Sequence, residues 1–421
     1  MNARAYIYGV KHAFHAKDGG SVAAVCRAAL CACLCILFLQ PVKAQEADSI
    51  AIEKPYVVSL LTCGPGDEVY ELYGHTALRV RGGSDAIDRV YNYGYFNFKR
   101  PHFLWHFVLG ETDYSLRTMP MARFYWLYTE EGRWIDEQVF NLTPAEAERV
   151  YRALEANNLE AVADGWTYRY NYLTDNCTTR AIAMVEEAVG ARFQPADTAR
   201  ATYRSALHRY TPGHAWAQFG NDMLLGARAD DSIDARAQLF LPVEAERLLE
   251  TATLAGDSVR PALSATRRMA DFPPKPAETS LPPMVYALLL LLLTAAATLY
   301  EWRRRKVLWG YDGALLSLQG VAGCLVCFML CFSEHPTVGS NLLCVWLNPL
   351  PLLVAWPVCR RLRRHLPARY FWVQTALLVT FFVLFAVRAQ AFPAASAVLA
   401  LCLLIRAVWN TLRHYYKPLQ P

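Results

Sequence analysis

From Met284 onward the chain holds five apolar runs, residues 284–300, 314–332, 342–358, 371–387 and 392–412, and nothing else in the sequence restricts the fold as strongly. About 20 apolar residues take a helix across the hydrocarbon core of a bilayer, where each backbone polar group must be satisfied inside the element. The spacing therefore predicts an all-α transmembrane bundle of five helices over residues 284–421. Loop charge sets its orientation. The segments after the first, third and fifth runs carry Arg303, Arg304, Arg305 and Lys306, then five arginines between Arg360 and Arg369, then Arg413 and Lys417. Those after the second and fourth carry only Arg388, so the arginine-rich set and the C-terminus are expected in the cytoplasm. Arg406, two turns inside the last run, is expected to snorkel to that face.

The N-terminus agrees with this orientation. Arg4, Lys11, Lys17 and Arg27 precede a 12-residue apolar stretch, 28–39, and Val42-Lys43-Ala44 follows before Gln45. That is the pattern of a signal peptide over residues 1–44, cleaved after Ala44. An uncleaved anchor is the competing reading, but the stretch is short of the roughly 20 residues a span needs. Residues 45–280 are then exported. They hold 24 Lys and Arg against 33 Asp and Glu, whereas residues 281–421 hold 13 against 3. An acidic exported part makes nucleic acid an unsuitable partner. Of 12 cysteines, only Cys63 and Cys177 fall in it.

Within residues 45–256 the pattern is α+β. Residues 56–63 read as a buried strand broken by Gly64-Pro65-Gly66, and a second strand, 75–80, starts at His75. A third, 89–96, alternates so that Val90, Asn92 and Gly94 share one face and Tyr91, Tyr93 and Tyr95 the other. Residues 101–109 form an aromatic helical segment, and Thr143-Pro144 is a strong helix start, with a capping hydroxyl and proline at the first helical position. Trp166 to Tyr172 is a tyrosine-rich segment leading to Asp175-Asn176, the expected cap of an amphipathic helix 177–189 closed by Gly190. Six prolines between residues 257 and 283 predict an extended linker into the first span.

Two short sequences about 100 residues apart carry the chemistry. Tyr73-Gly74-His75-Thr76 puts a histidine at the head of a strand, and Asp175-Asn176-Cys177-Thr178-Thr179-Arg180 puts a cysteine in the first turn of a helix. Unpaired N–H groups and the positive end of the macrodipole favour the thiolate there, and a nearby imidazole favours it further. Cys177 is the candidate nucleophile, His75 its base and Asn92 the group that orients the ring. The Cys177 N–H would contribute to an oxyanion hole, with a second donor unassigned. Arg180, one turn on, is a candidate for an anionic head group. Each residue has a plainer alternative: Cys63 and Cys177 as a disulfide in an oxidising compartment, and His75 as a structural histidine. His102 and His106 have helical metal-ligand spacing but no evident third ligand, so a membrane-interface helix is the better reading of that segment. In the loop after the second run, Glu334 and His335, together with Asn341 and Asn348, are candidates for contact with a head group or with the exported domain; an ordinary polar loop is the alternative.

Taken together these sequences resemble the Bacteroides-type lipoprotein N-acyltransferases, over residues 56–351. The resemblance rests on Leu61-Thr62-Cys63-Gly64-Pro65-Gly66, Gly74-His75-Thr76-Ala77-Leu78-Arg79-Val80, Tyr91-Asn92-Tyr93-Gly94-Tyr95-Phe96, Asp175 to Arg180, and Ser333-Glu334-His335-Pro336 with Asn341 and Leu347-Asn348-Pro349. It implies an exported domain with a permuted papain-like, NlpC-like thiol-enzyme fold, with Cys177 and His75 catalytic. The order histidine before cysteine is also similar to lecithin-retinol acyltransferase, which points to acyl transfer rather than peptide hydrolysis. The implied reaction takes an acyl chain from a membrane phospholipid through a Cys177 thioester to the α-amine of a lipoprotein's N-terminal diacylglyceryl-cysteine. It needs no metal or soluble cofactor. A membrane-anchored cysteine peptidase or amidase acting on cell-wall peptide is the alternative, and a non-catalytic module stapled by Cys63 and Cys177 is a third.

Overall fold

The computed structural model describes residues 54–413 apart from 98, 100, 274, 275, 277 and 278. The expected signal peptide, residues 1–44, lies outside the described residues. The N-terminal half is built on a seven-stranded sheet with the order β12-β5-β1-β2-β3-β4-β6. Its strands are β1 (Val57–Cys63), β2 (His75–Gly82), β3 (Ile87–Tyr95), β4 (Asp113–Pro120), β5 (Ile135–Phe140), β6 (Tyr168–Arg169) and β12 (Leu263–Ala270). All pairings are antiparallel. Short strands β7 (Arg192–Gln194), β10 (Thr253–Ala255) and β11 (Val259–Pro261) form a second sheet, and β8 (Ala201–Thr202) pairs with β9 (Ser232–Ile233).

Alternation assigns the two faces of the main sheet. Leu78, Tyr91 and Tyr93 point to the side where α3 (Pro144–Ala163) and α4 (Cys177–Val189) bury Val150, Leu154, Ala181 and Val185. Cys63, Ala77 and Val90 point to the other, under Met121 and Phe124 of α2 (Met121–Glu130). Both expected caps are present: Thr143 forms a capping box with Glu146, and α4 ends at Gly190 in the left-handed conformation. The alternation expected for β3 holds only to Tyr93. Its pairing with β4 slips between Asn92 and Tyr95, and Gly94 has φ +81°, the mark of a bulge that re-aims the strand end.

The stretch expected to be a linker is a correction. Residues 259–270 supply β11 and the edge strand β12, which pairs with β5 through Arg267↔Glu137 and Arg268↔Asp136. Pro261 sits at the end of one short strand, and the two arginines form ion pairs with the buried Glu137 and Asp136, which proline counting could not register.

The C-terminal half has α8 (Pro283–Arg304), α9 (Trp309–Phe332), α10 (Leu350–Arg363), α11 (Tyr370–Ala386) and α12 (Ala394–Leu412). Among the described residues four spans are long and apolar enough to cross a membrane; the third, Leu342–Arg363, begins as a 3-10 turn before α10, and Tyr370–Ala386 is a shorter apolar helix of 17 residues. Arg406 does not snorkel. It is buried at 2% exposure, its guanidinium on Asp312 at 2.8 and 2.9 Å and on Glu301 at 3.0 Å. Two carboxylates on neighbouring helices offer more than a route to the interface does.

Between α5 (Tyr203–His208) and α7 (Pro242–Leu249) lies α6 (Ala215–Leu224), which with α1 (Phe103–Leu109) joins the halves. Glu334 N–H donates to Leu109 O at 2.7 Å, Ser333 Oγ to Val108 O at 2.8 Å, and His335 Nε2 to Phe107 O at 2.6 Å. Gly110, at φ +79°, takes this close approach because a Cβ there would lie 2.7 Å from His335 N. Asn341 Nδ2 reaches Met223 O at 2.8 Å, at the end of α6.

Candidate active site

The position of Cys177, the candidate nucleophile, follows from the cap. Asn176 Oδ1 accepts from the N–H groups of Thr178 and Thr179 at 2.8 and 3.0 Å, while its Nδ2 donates to Phe240 O at 2.7 Å and Tyr172 O at 2.9 Å. The cap thus uses the second and third helical N–H groups and leaves that of Cys177, the first residue of α4, for other work. A buried bond between Thr76 Oγ1 and Thr178 Oγ1, 3.0 Å, pins this helix end to the start of β2.

His75 is the first residue of β2, and its imidazole meets the Cys177 thiol in a hydrogen bond. Nε2 lies 3.3 Å from Asn92 Oδ1. Burial pushes the thiol up, but the hydrogen bond and charge of His75, the Thr76 N–H and the Thr178 hydroxyl outweigh it and bring Cys177 down from 9.0 to about 7. Thr178 Oγ1 is 3.8 Å from Sγ. Cys63 pairs directly with His75 across the strands, yet its environment is opposite: burial drives its thiol far up and no imidazole opposes it. Both cysteines are free thiols, so the disulfide reading does not describe this fold.

Two tyrosines complete the site, neither of them assigned a role from the sequence. Tyr128, on α2, stacks parallel to His75 with ring centroids 6.2 Å apart and interplanar angle 7°, and the Arg133 guanidinium lies 4.7 Å from its ring on the same core. Tyr170 is partly buried beside Cys177, whose N–H reaches the phenol oxygen. Gly94 makes room for it: a Cβ there would stand 3.0 Å from Tyr170 Cε2 and 3.5 Å from Cys177 Cβ. Thr112 holds the Tyr170 backbone from both sides, its O accepting from Tyr170 N–H at 2.8 Å and its Oγ1 donating to Tyr170 O at 2.7 Å. The signal available was the alternation of Tyr168, Tyr170 and Tyr172 just before the cysteine motif; it carries no chemistry until β3 bulges at Gly94. A cavity of about 270 Å³ is lined by Leu72, Arg133, Trp134 and Tyr210.

The remaining candidates are bound elsewhere. Arg180 forms a bidentate pair with Asp175 through Nε and Nη2 and lies 4.3 Å over the Tyr168 ring. Glu334 pairs with Arg169 and Asn341 also accepts from Gln390, so with His335 they fasten the two halves together. His106 Nδ1 bonds Glu111 at 2.6 Å, and no metal-binding group of histidine, cysteine, aspartate or glutamate occurs among the described residues.

Comparison with known families fits this two-part build. The family model described as the Lnb N-terminal periplasmic domain matches residues 43–208, and that described as the Lnb transmembrane domain matches residues 275–418. No curated protein and no solved structure matches the chain. Both halves are matched in order, the first containing β1 to β6 and α4 and the second the helical bundle, and the chain accordingly belongs to the Lnb family, as a multi-pass inner-membrane protein with a periplasmic N-terminal domain.

Proposed function

We propose that this protein is a lipoprotein N-acyltransferase that works through Cys177 and His75. The observation that carries the reading is the Cys177 thiol, brought down to about 7 by a hydrogen-bonded His75 inside a domain fastened to membrane helices. The N-terminal domain is read as a permuted papain-like fold, because the histidine strand precedes the cysteine helix and Asn92 backs the imidazole. In this reading the arginine-rich segments and the C-terminus face the cytoplasm and the site lies at the outer face of the inner membrane, as the positive-inside bias favours.

The thiolate attacks an ester carbonyl of a phospholipid, and the oxyanion that forms is met by the Cys177 N–H and the Tyr170 hydroxyl. The C–O bond breaks, the leaving alkoxide takes the proton held by His75, and a lysophospholipid departs. The α-amine of a diacylglyceryl-cysteine then attacks the thioester carbonyl and gives a proton to His75. The C–S bond breaks, leaving an amide and the regenerated thiolate. Donor and acceptor both sit in the leaflet next to the domain, so anchoring raises their effective concentration.

The test is the mass of a reporter lipoprotein's N-terminal peptide from cells lacking this protein and complemented with wild type, Cys177→Ala or His75→Ala. One extra acyl chain with wild type and none with either variant supports the reading. The same chains in every strain, with muropeptide cleavage by the purified protein, would replace it with the peptidase.

A further inference from the structure

Outside the dyad, the least expected feature of the N-terminal domain is a row of aromatic rings leading away from Cys177. Tyr170 stands 4.7 Å from Tyr114, Tyr114 4.9 Å from Phe96, Phe96 6.0 Å from Phe103 and Phe103 6.2 Å from Phe107, centroid to centroid. At its far end α1 meets the membrane bundle, where Trp105 is 5.3 Å from Phe328 of α9. The row therefore begins at the candidate nucleophile and ends on a membrane-spanning helix. α1 also presents apolar side chains outward: Leu104 is 73% exposed, Trp105 54% and Phe107 45%. A seven-residue helix with no buried residue of its own would be poorly placed if water were its surroundings.

We propose that this row is the track for the acyl chain carried on Cys177, with the chain lying along the rings from the thioester to the bilayer edge at α9. The proposal rests on the acyl-transfer reading above and names where its substrate lies. A long chain drawn out of the bilayer onto a thiol exposes its methylenes unless an apolar surface covers them, and each one covered is worth about fourfold in equilibrium. The row provides that surface without a tunnel. The cleft lined by Phe96, Phe103, Phe107 and Tyr114 is about 20 Å³, room for about one water, so the chain lies on the rings rather than inside the domain. Continuity with the membrane interface selects an acyl chain over a peptide, since α1 is clasped at Val108 and Leu109 by the loop after α9.

The experiment compares full-length wild type, Phe103→Ser and Phe103→Leu in detergent micelles doped with dipalmitoyl- or dihexanoyl-phosphatidylglycerol. It follows the acyl adduct on the Cys177 peptide by mass. Phe103→Ser is expected to slow acylation by the dipalmitoyl lipid about tenfold, the worth of roughly two covered methylenes, and to leave the dihexanoyl lipid within about twofold. Phe103→Leu restores the long-chain rate. Equal losses with both lipids, or no loss with either, overturn the track while leaving the acyltransferase standing. Wild type that acquires no adduct from either lipid overturns both. Should Phe103→Ser not fold, Leu104→Ser takes its place with the same expectations, since Leu104 lies three residues before Phe107 on the same helix face.

Discussion

Removing the His75 imidazole isolates the influence on which the proposed chemistry depends. Burial is the largest influence on the Cys177 thiol and acts upward; the hydrogen bond and charge of His75 are the largest acting downward. In His75→Ala the largest downward influences on the thiol are gone while burial remains, so it is expected to rise to or above its ordinary 9.0 from about 7. Two units correspond to about 2.7 kcal/mol, and at pH 7 the thiolate fraction drops from about one half to about one in a hundred. The rate drops less. A more basic thiolate is intrinsically more nucleophilic, with a slope of about 0.4–0.5 per unit, which returns roughly eightfold of the fiftyfold loss. The informative readout is therefore the midpoint of a pH profile. Iodoacetamide alkylation of the protein in detergent, followed by the mass of the Cys177 peptide, should show a wild-type midpoint near about 7 and a His75→Ala midpoint at or above about 9. Cys63 is an internal reference, its buried thiol staying protonated throughout. A midpoint in His75→Ala within about half a unit of wild type would refute the reasoning.

Tyr170→Phe keeps the ring against Gly94 and removes only the hydroxyl, so kcat for acyl transfer should fall about 10²-fold with the Cys177 alkylation midpoint almost unmoved; a loss in KM alone would argue for a packing role. Gly94→Ala should lower activity and stability together, since φ +81° costs a side chain about 1–2 kcal/mol and the new Cβ would press on Tyr170 at 3.0 Å, and thermal denaturation set beside activity checks this. Arg406→Ala leaves Asp312 and Glu301 buried without their cation, and should cost about 3–5 kcal/mol, read as a lower unfolding temperature in detergent with the alkylation midpoint unchanged.

The legibility of this chain divides along a physical line. Where information is local, residues suffice. The helix 177–189 was readable end to end because its cap, its 3.6-residue apolar period and its closing glycine lie within 15 residues of one another. The heads of β1 to β3 were readable for the same reason, as was a cysteine placed where unpaired N–H groups favour a thiolate. The limits lay with residues 259–270, read as part of a proline-punctuated linker, where the edge strand β12 pairs its Arg267 and Arg268 with the buried Glu137 and Asp136 of β5. Arg406 is a like case, its carboxylates being about 94 and 105 residues away in sequence.

The sequence by itself marked the C-terminal third as membrane-spanning and singled out Cys177 and His75 as candidates; apolar length and helix-end position are properties of short segments. Only the tertiary structure decided that those two side chains come together, that Cys177 and Cys63 are thiols of opposite character, that Tyr170 lies at the first N–H of α4, and that Glu334, His335 and Asn341 fasten the two halves together. Each of these depends on distance between segments far apart in sequence, and hydrogen bonds and charges act across space without leaving a period or a spacing to read.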